Sequence, residues 1–192
     1  AVEILRESRR AMDGYNTKLV GSLFADNLLY EGGLDPKLMV QLATDGECDG
    51  FLIDTLIKDG RNLFDFLTES ELHNMVLEGK QRGLSTALSG HLKLDDLDEL
   101  ARINPDIVGV RGAVCSTGDR DRAVAWEAVA EFKRQVDLRK SGQINVRPDV
   151  PNDGANGDTP VITTGGGWVV IDGRGKSCAG VIAALEKQTQ AD

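Results

Sequence analysis

Gly50-Phe51-Leu52-Ile53-Asp54-Thr55-Leu56, then Thr68-Glu69-Ser70-Glu71 running on to Gly83, then Ser85-Thr86-Ala87-Leu88-Ser89-Gly90, decide the fold. The first run is short and apolar and reads as a buried strand. Thr68 and Glu71 have the spacing of a capping box. Leu72, Met75 and Val76 follow, and Gly83 closes the helix. The third run is again a strand. A chain that leaves one strand, returns through a helix and enters the next makes a βα unit with parallel strands.

The same alternation continues on both sides. Upstream, residues 1–13 read as a helix and residues 18–23 as a buried strand. Asp35-Pro36 starts a helix, with an N-cap followed by proline at the first helical position, that runs through Leu38, Val40 and Leu42 to Gly46. Downstream, residues 95–103 form a helix, with Leu94, Leu97, Leu100 and Ala101 on one stripe, that stops near Pro105. Residues 107–110 read as a strand. Residues 122–139 read as a long helix carrying Val124, Ala128, Val129, Phe132 and Val136. The expected class is α/β, with a parallel sheet buried on both faces by its crossovers. From 141 to 167 the character changes: Pro148, Pro151 and Pro160 stand among Asn, Asp and Gly, as in a flexible linker. Residues 168–171 read as a strand and 178–187 as a helix, so 168–192 is a strand–helix tail too short to hold its own core.

Composition narrows the function. The chain has 192 residues, 22 Lys+Arg against 31 Asp+Glu, and a formal net charge of −9. Nucleic acid and anionic membrane surfaces reward basic patches, so neither is the expected partner. No apolar run is long enough to span a bilayer. The start, Ala1-Val2-Glu3-Ile4, shows no signal peptide and no initiator Met. Cys48, Cys115 and Cys178 are odd in number and far apart, which predicts a reducing, cytoplasmic setting. With only His73 and His91 and no Cys/His cluster, a structural zinc site is not expected.

Two constellations carry chemistry. In Asp54-Thr55-Leu56-Ile57-Lys58, a carboxylate and a lysine sit at the C-terminal end of a parallel strand, where α/β proteins place reacting groups. Asp54 can project inward, and Lys58 can lean over the same mouth. Lys58 could then act as acid, base or electrostatic clamp, or as an amine nucleophile if desolvated. The plainer alternative is a solvated loop lysine beside an Asp that caps a turn. The second constellation spans the next two strand ends: Ser89-Gly90-His91, and Arg111-Gly112-Ala113 through Ser116-Thr117-Gly118-Asp119-Arg120. Glycines let backbone N–H groups approach an anion, and the arginines add charge. Simple turn chemistry is the alternative. Cys115 reads as a small buried thiol, and His73 as a surface residue.

The segment from Cys48 to Gly60, Leu63-Phe64-Asp65-Phe66, and the run from Asp106 to Ala113 with Cys115 and Gly118-Asp119-Arg120 together resemble (5-formylfuran-3-yl)methyl phosphate synthase, over about residues 1–140. That resemblance implies a (β/α)8 barrel. The implied reaction condenses two molecules of glyceraldehyde 3-phosphate to a furan aldehyde phosphate in methanofuran biosynthesis, by lysine Schiff-base chemistry without metal or organic cofactor. It implies that Asp54 and Lys58 are the catalytic carboxylate and lysine of the sixth strand. Ser89, Gly90, Arg111, Gly112 and Gly118 would belong to the phosphate loops. A whole barrel has eight units and typically about 250 residues. The resemblance places this chain's four units as five to eight, without the strands bearing the Schiff-base lysine and a second catalytic lysine. The expectation is a C-terminal half-barrel over 1–140, inactive alone, that self-associates as a homo-oligomer or joins a complementary N-terminal half. Two alternatives stand beside the enzyme reading. One is a non-catalytic phosphate-binding or assembly half. The other is a sulfur-transfer module, because Asp172-Gly173-Arg174-Gly175-Lys176-Ser177-Cys178 resembles the opening of small sulfur-carrier proteins.

Overall fold

Local chemistry places the helix starts. In the computed structural model, which describes residues 1–118 and 121–147 together with the strand backbones at 161–165 and 168–172, Asp35 accepts a hydrogen bond from the Lys37 N–H at 2.9 Å and Pro36 opens a 3-10 turn. The turn leads into α2 (Met39–Asp45). Thr68 and Glu71 complete a reciprocal capping box at the head of α3 (Glu69–Gln81). The first helix, α1 (Val2–Ala11), buries no residue fully. It is fastened instead by Arg9, which donates to Asp49 at 2.6 Å and to the Glu47 carbonyl at 2.8 Å. Asp49 also accepts the Leu19 N–H at 2.8 Å, so one carboxylate ties α1 and the chain entering the first strand to the corner before Gly50. The Arg9 guanidinium first, and the Leu19 N–H next, hold the Asp49 carboxyl well below the usual carboxylate range.

Four parallel strands follow in sequential order: β1 (Val20–Phe24), β2 (Gly50–Asp54), β3 (Ser85–Leu88) and β4 (Ile107–Val108). The helices α4 (Leu97–Ile103) and α5 (Trp126–Lys140) complete the units. Register fixes which side chains share a face. Gly21 pairs with Phe51 and Phe51 with Thr86, while Leu23, Ile53, Leu88 and Val108 form the next row. Phe51 lies against α3 so closely that a Cβ on Gly79 would come within 2.5 Å of its ring. The strand residues of the main core cluster, Phe51, Ile53 and Leu88 with Leu23 and Val108 packed on them, belong to this face, while Ala87 is buried on the other. Helix residues from α2 to α5, among them Val40, Leu72, Leu100 and Phe132, fill the same core.

The opposite face is a correction to the expectation of burial on both sides. It carries Val20, Ser22, Phe24, Leu52, Asp54, Ser85, Ala87 and Ile107. Val20 is 50% and Ile107 56% exposed. Sequential order with crossovers of one hand puts all the helices on one side of the sheet, so among the described residues none is left to cover the other.

Element bounds differ as well: β4 stops at Val108 rather than residue 110, and α4 begins at Leu97 rather than residue 95 because Leu94–Asp96 forms a 3-10 turn. β1 begins at Val20 rather than residue 18, because pairing to Gly50–Asp54 sets its ends. α5 begins at Trp126 rather than residue 122, because Val124 is drawn into an antiparallel bridge with Cys115. Within the stretch read as linker, Val161–Gly165 forms a strand, β5, paired antiparallel to β6 (Trp168–Asp172). The chain divides into two compact units, residues 1–146 and 147–192. The expected helix at 178–187 lies outside the described residues.

Candidate active site

Asp54 is the last residue of β2, on the face away from the helices. Its Oδ1 accepts the Thr55 N–H at 2.7 Å, which fixes the carboxylate against the start of the loop. Lys58 turns back over that loop as expected. Its Nζ lies 3.3 Å from Asp54 Oδ1 and 3.2 Å from Thr55 Oγ1, and it also donates to the Thr55 carbonyl. About a third of the Lys58 side chain is exposed, so the pair is partly desolvated yet reachable. An ammonium on a carboxylate at the mouth of a parallel sheet can hold a proton, pass it, or clamp an oxyanion.

Both flanks of this loop are fixed. Thr55 is buried, and Gly90 of the neighbouring strand end packs on it. A Cβ on Gly90 would come 2.8 Å from Thr55 Cγ2, and Gly90 has φ +121°. Glycine is therefore required there for two reasons, backbone conformation and space. Ser89 donates its N–H to the Ile53 carbonyl at 2.8 Å, bringing β3 alongside the end of β2, and Gly90 accepts the Leu63 N–H at 2.9 Å. On the other flank is Asp26, a buried carboxylate just past β1 that accepts the N–H groups of Leu56 and Ile57. Sequence reading missed Asp26. The available signal was its place: Phe24-Ala25-Asp26 ends an apolar run as Ile53-Asp54 does.

The remaining expected residues follow β4. Arg111 is exposed at the head of the 3-10 turn Gly112–Val114. The chain then runs through buried Cys115 to the turn Ser116–Gly118, where Thr117 has φ +60° and Gly118 φ +72°. The Gly118 N–H donates to the Cys115 carbonyl at 3.1 Å, so that donor is engaged within its own turn. Asp54, Lys58, Ser89 and Gly90 thus form one group at adjacent strand ends, with Arg111 and Gly112 at the next. Asp119, Arg120 and Cys178 lie outside the described residues. Beside the Lys58 loop, Arg61 pairs with Asp59 at 2.8 Å and lies over the Phe66 ring, holding the Asp59 carboxyl below its ordinary range. His73 is exposed on α3 and touches none of this group, and His91, at φ +53°, continues the Gly90 turn. Among the described residues no helix is long and apolar enough to cross a membrane, and no cluster of three or more His, Cys, Asp or Glu gathers as a metal site.

The family model for 4-HFC-P synthase matches residues 1–133, more than half of the chain. The chain belongs to this family. Among relatives of the 4-HFC-P synthase family, a Methanopyrus kandleri protein named (5-formylfuran-3-yl)methyl phosphate synthase is 42% identical over 124 residues, 64% of this chain and 52% of its own length. Proteins of the same name from Methanobrevibacter smithii and Methanocaldococcus jannaschii are each 38% identical, over 71% and 69% of this chain and 59% and 57% of theirs. The chain therefore spans about half the length of the curated relatives it matches. The segment matched to 4-HFC-P synthases holds every residue of both constellations and stops short of Cys178.

Proposed function

We propose that this chain is the Asp54–Lys58 half of a (5-formylfuran-3-yl)methyl phosphate synthase, a phosphate-eliminating lyase acting on glyceraldehyde 3-phosphate in methanofuran biosynthesis. The observation that carries the reading is the Lys58–Asp54 pair, 3.3 Å apart at a parallel strand end, inside the segment that matches the family. The sheet order supports a (β/α)8 architecture: four parallel strands in sequence with helices on one side are half of such a barrel. Further βα units, pairing with the edges of β1 and β4 that no described strand occupies, would complete it and cover the face of Val20, Leu52 and Ile107. Cys48, a buried thiol outside any disulfide, fits a reducing, cytoplasmic setting.

Atom balance states what the residues must do. Two triose phosphates become one furan aldehyde phosphate by losing one phosphate and two waters, with no net oxidation. Each elimination removes a proton beside a carbonyl or imine and protonates a leaving oxygen. Lys58 supplies and recovers those protons, and Asp54 holds its ammonium in place. The amine that forms the Schiff base comes from the complementary half. Ser89, Gly90, Arg111 and Gly112 receive a substrate phosphate, with Gly118 shaping the loop. A non-catalytic assembly half is the competing reading.

The test is product formation from glyceraldehyde 3-phosphate, followed by mass spectrometry with borohydride trapping. It is run on the chain alone and with the N-terminal half of the M. kandleri relative added. The expected result is no product alone, product on complementation, and a loss of at least about a hundredfold in the complemented Lys58→Ala variant. A stable complementary complex without turnover supports the assembly reading instead. A reduced adduct on Lys58 moves the Schiff base into this half.

A further inference from the structure

Asp26 is a buried titratable group that the proposed chemistry leaves unused, and it lies against the Lys58 loop. It is 1% exposed and lies two residues past the end of β1. Its Oδ1 accepts the Leu56 N–H at 2.8 Å, and its Oδ2 accepts the Ile57 N–H at 2.7 Å. A carboxylate withdrawn from water persists where charge-assisted hydrogen bonds meet its oxygens, and here each oxygen meets one backbone donor. The two donors are consecutive, and the next residue in the chain is Lys58. β1 is also joined to β2 directly beneath this clamp, through the Ala25 N–H on the Asp54 carbonyl at 2.7 Å. The 55–58 loop is therefore gripped by Asp26 on one flank and by the Gly90–Thr55 contact on the other.

We infer that Asp26 is a positioning residue: by holding the Leu56 and Ile57 amides it sets the path from which Lys58 returns over Asp54. The inference rests on the reading of Lys58 as the group that moves protons. A plain structural role would spread its effect over the whole domain, whereas a positioning role falls on the Lys58 amine. Asparagine is nearly isosteric, but it turns an N–H2 toward one of the two backbone donors and removes the charge from both bonds.

The experiment is competitive labelling of the full chain with an amine-reactive reagent, read by peptide mass spectrometry. It compares the unaltered protein with Asp26→Asn. Lys18 and Lys133, whose side chains are 77% and 73% exposed, serve as references inside the same molecule. Labelling of Lys58 is expected to rise on the order of tenfold relative to both, the factor that corresponds to one charge-assisted hydrogen bond. Unchanged Lys58 labelling in a folded variant overturns the inference, and so does a rise shared by all lysines. Should Asp26→Asn fail to fold, amide hydrogen exchange on the unaltered chain decides. Leu56 and Ile57 are expected to exchange at least about tenfold more slowly than Asp59 and Gly60, and equal rates overturn the clamp. Neither readout requires turnover. A chain that makes no product even with the N-terminal half of the M. kandleri relative added, yet shows selective Lys58 labelling, defeats the proposed function and leaves the hold of Asp26 on the Lys58 loop standing.

Discussion

Substituting Gly90 by alanine loads two costs onto one position. The backbone has φ +121°, a region that L side chains rarely adopt, and such a residue costs of order 1–3 kcal/mol. The new methyl would also sit 2.8 Å from Thr55 Cγ2, 3.2 Å from Thr55 N and 3.3 Å from Thr55 Oγ1. Thr55 is 1% exposed and cannot swing into solvent, so the overpacking adds about 1–3 kcal/mol. A small backbone shift relieves both together, so the total should lie near 3 kcal/mol, not at the sum of the extremes. At about 2–4 °C per kcal/mol for a unit of this size, the midpoint of thermal unfolding should fall by roughly 6–12 °C. Thermal unfolding followed by circular dichroism checks this, with urea titration giving the free energy. A Gly90→Ala protein melting within about 2 °C of the parent would refute the reasoning, since neither the conformation nor the contact could then be as described.

Further outcomes follow from named contacts. Asp98 on α4 and Arg139 on α5 are paired at 2.8 Å with side-chain exposures of 5% and 14%, and Gln135 accepts from the other arm of the guanidinium, so Asp98→Ala should cost about 1–3 kcal/mol in urea unfolding by removing the carboxylate partner. Asp49 has its folded pKa depressed, so its contribution is present above the unfolded value of about 3.9 and disappears as pH falls below it toward the folded value. Asp49→Asn should therefore cost about 1–3 kcal/mol at pH 7, and the gap to the parent should narrow steadily below about pH 4. A pH-independent gap would contradict that assignment. Thr68→Ala should remove one half of the α3 capping box and lower stability by about 1 kcal/mol. On the proposed barrel, the chain alone should self-associate through the Val20–Ile107 face, and Ile107→Asp should shift it toward monomer in light scattering. A monomeric parent chain would defeat that expectation.

Wherever a few adjacent residues settle the matter, this protein was legible from its sequence. The Asp35-Pro36 start and the Thr68/Glu71 box are local chemistry, in which a side chain satisfies an amide two or three positions away, and the Gly83 stop is local as well, a backbone at φ +77°. Lys58 over Asp54 is of the same kind, a contact within four residues. What the sequence could not disclose depends on partners far along the chain. α5 starts late because Val124 bridges to Cys115, and Val161–Gly165 is a strand because Trp168–Asp172 pairs with it. Asp26 reads as an ordinary loop carboxylate until the register of β1 on β2 brings it under Leu56 and Ile57, 30 and 31 residues away. Gly90 reads as a common strand-end glycine until β3 lays it on Thr55. The sequence by itself determined the alternation of elements and the catalytic candidates, because periodicity and capping act over a single turn. The tertiary structure alone decided which face of the sheet stays open and which distant residues grip the Lys58 loop, because register couples strands whose sequences carry no mark of one another.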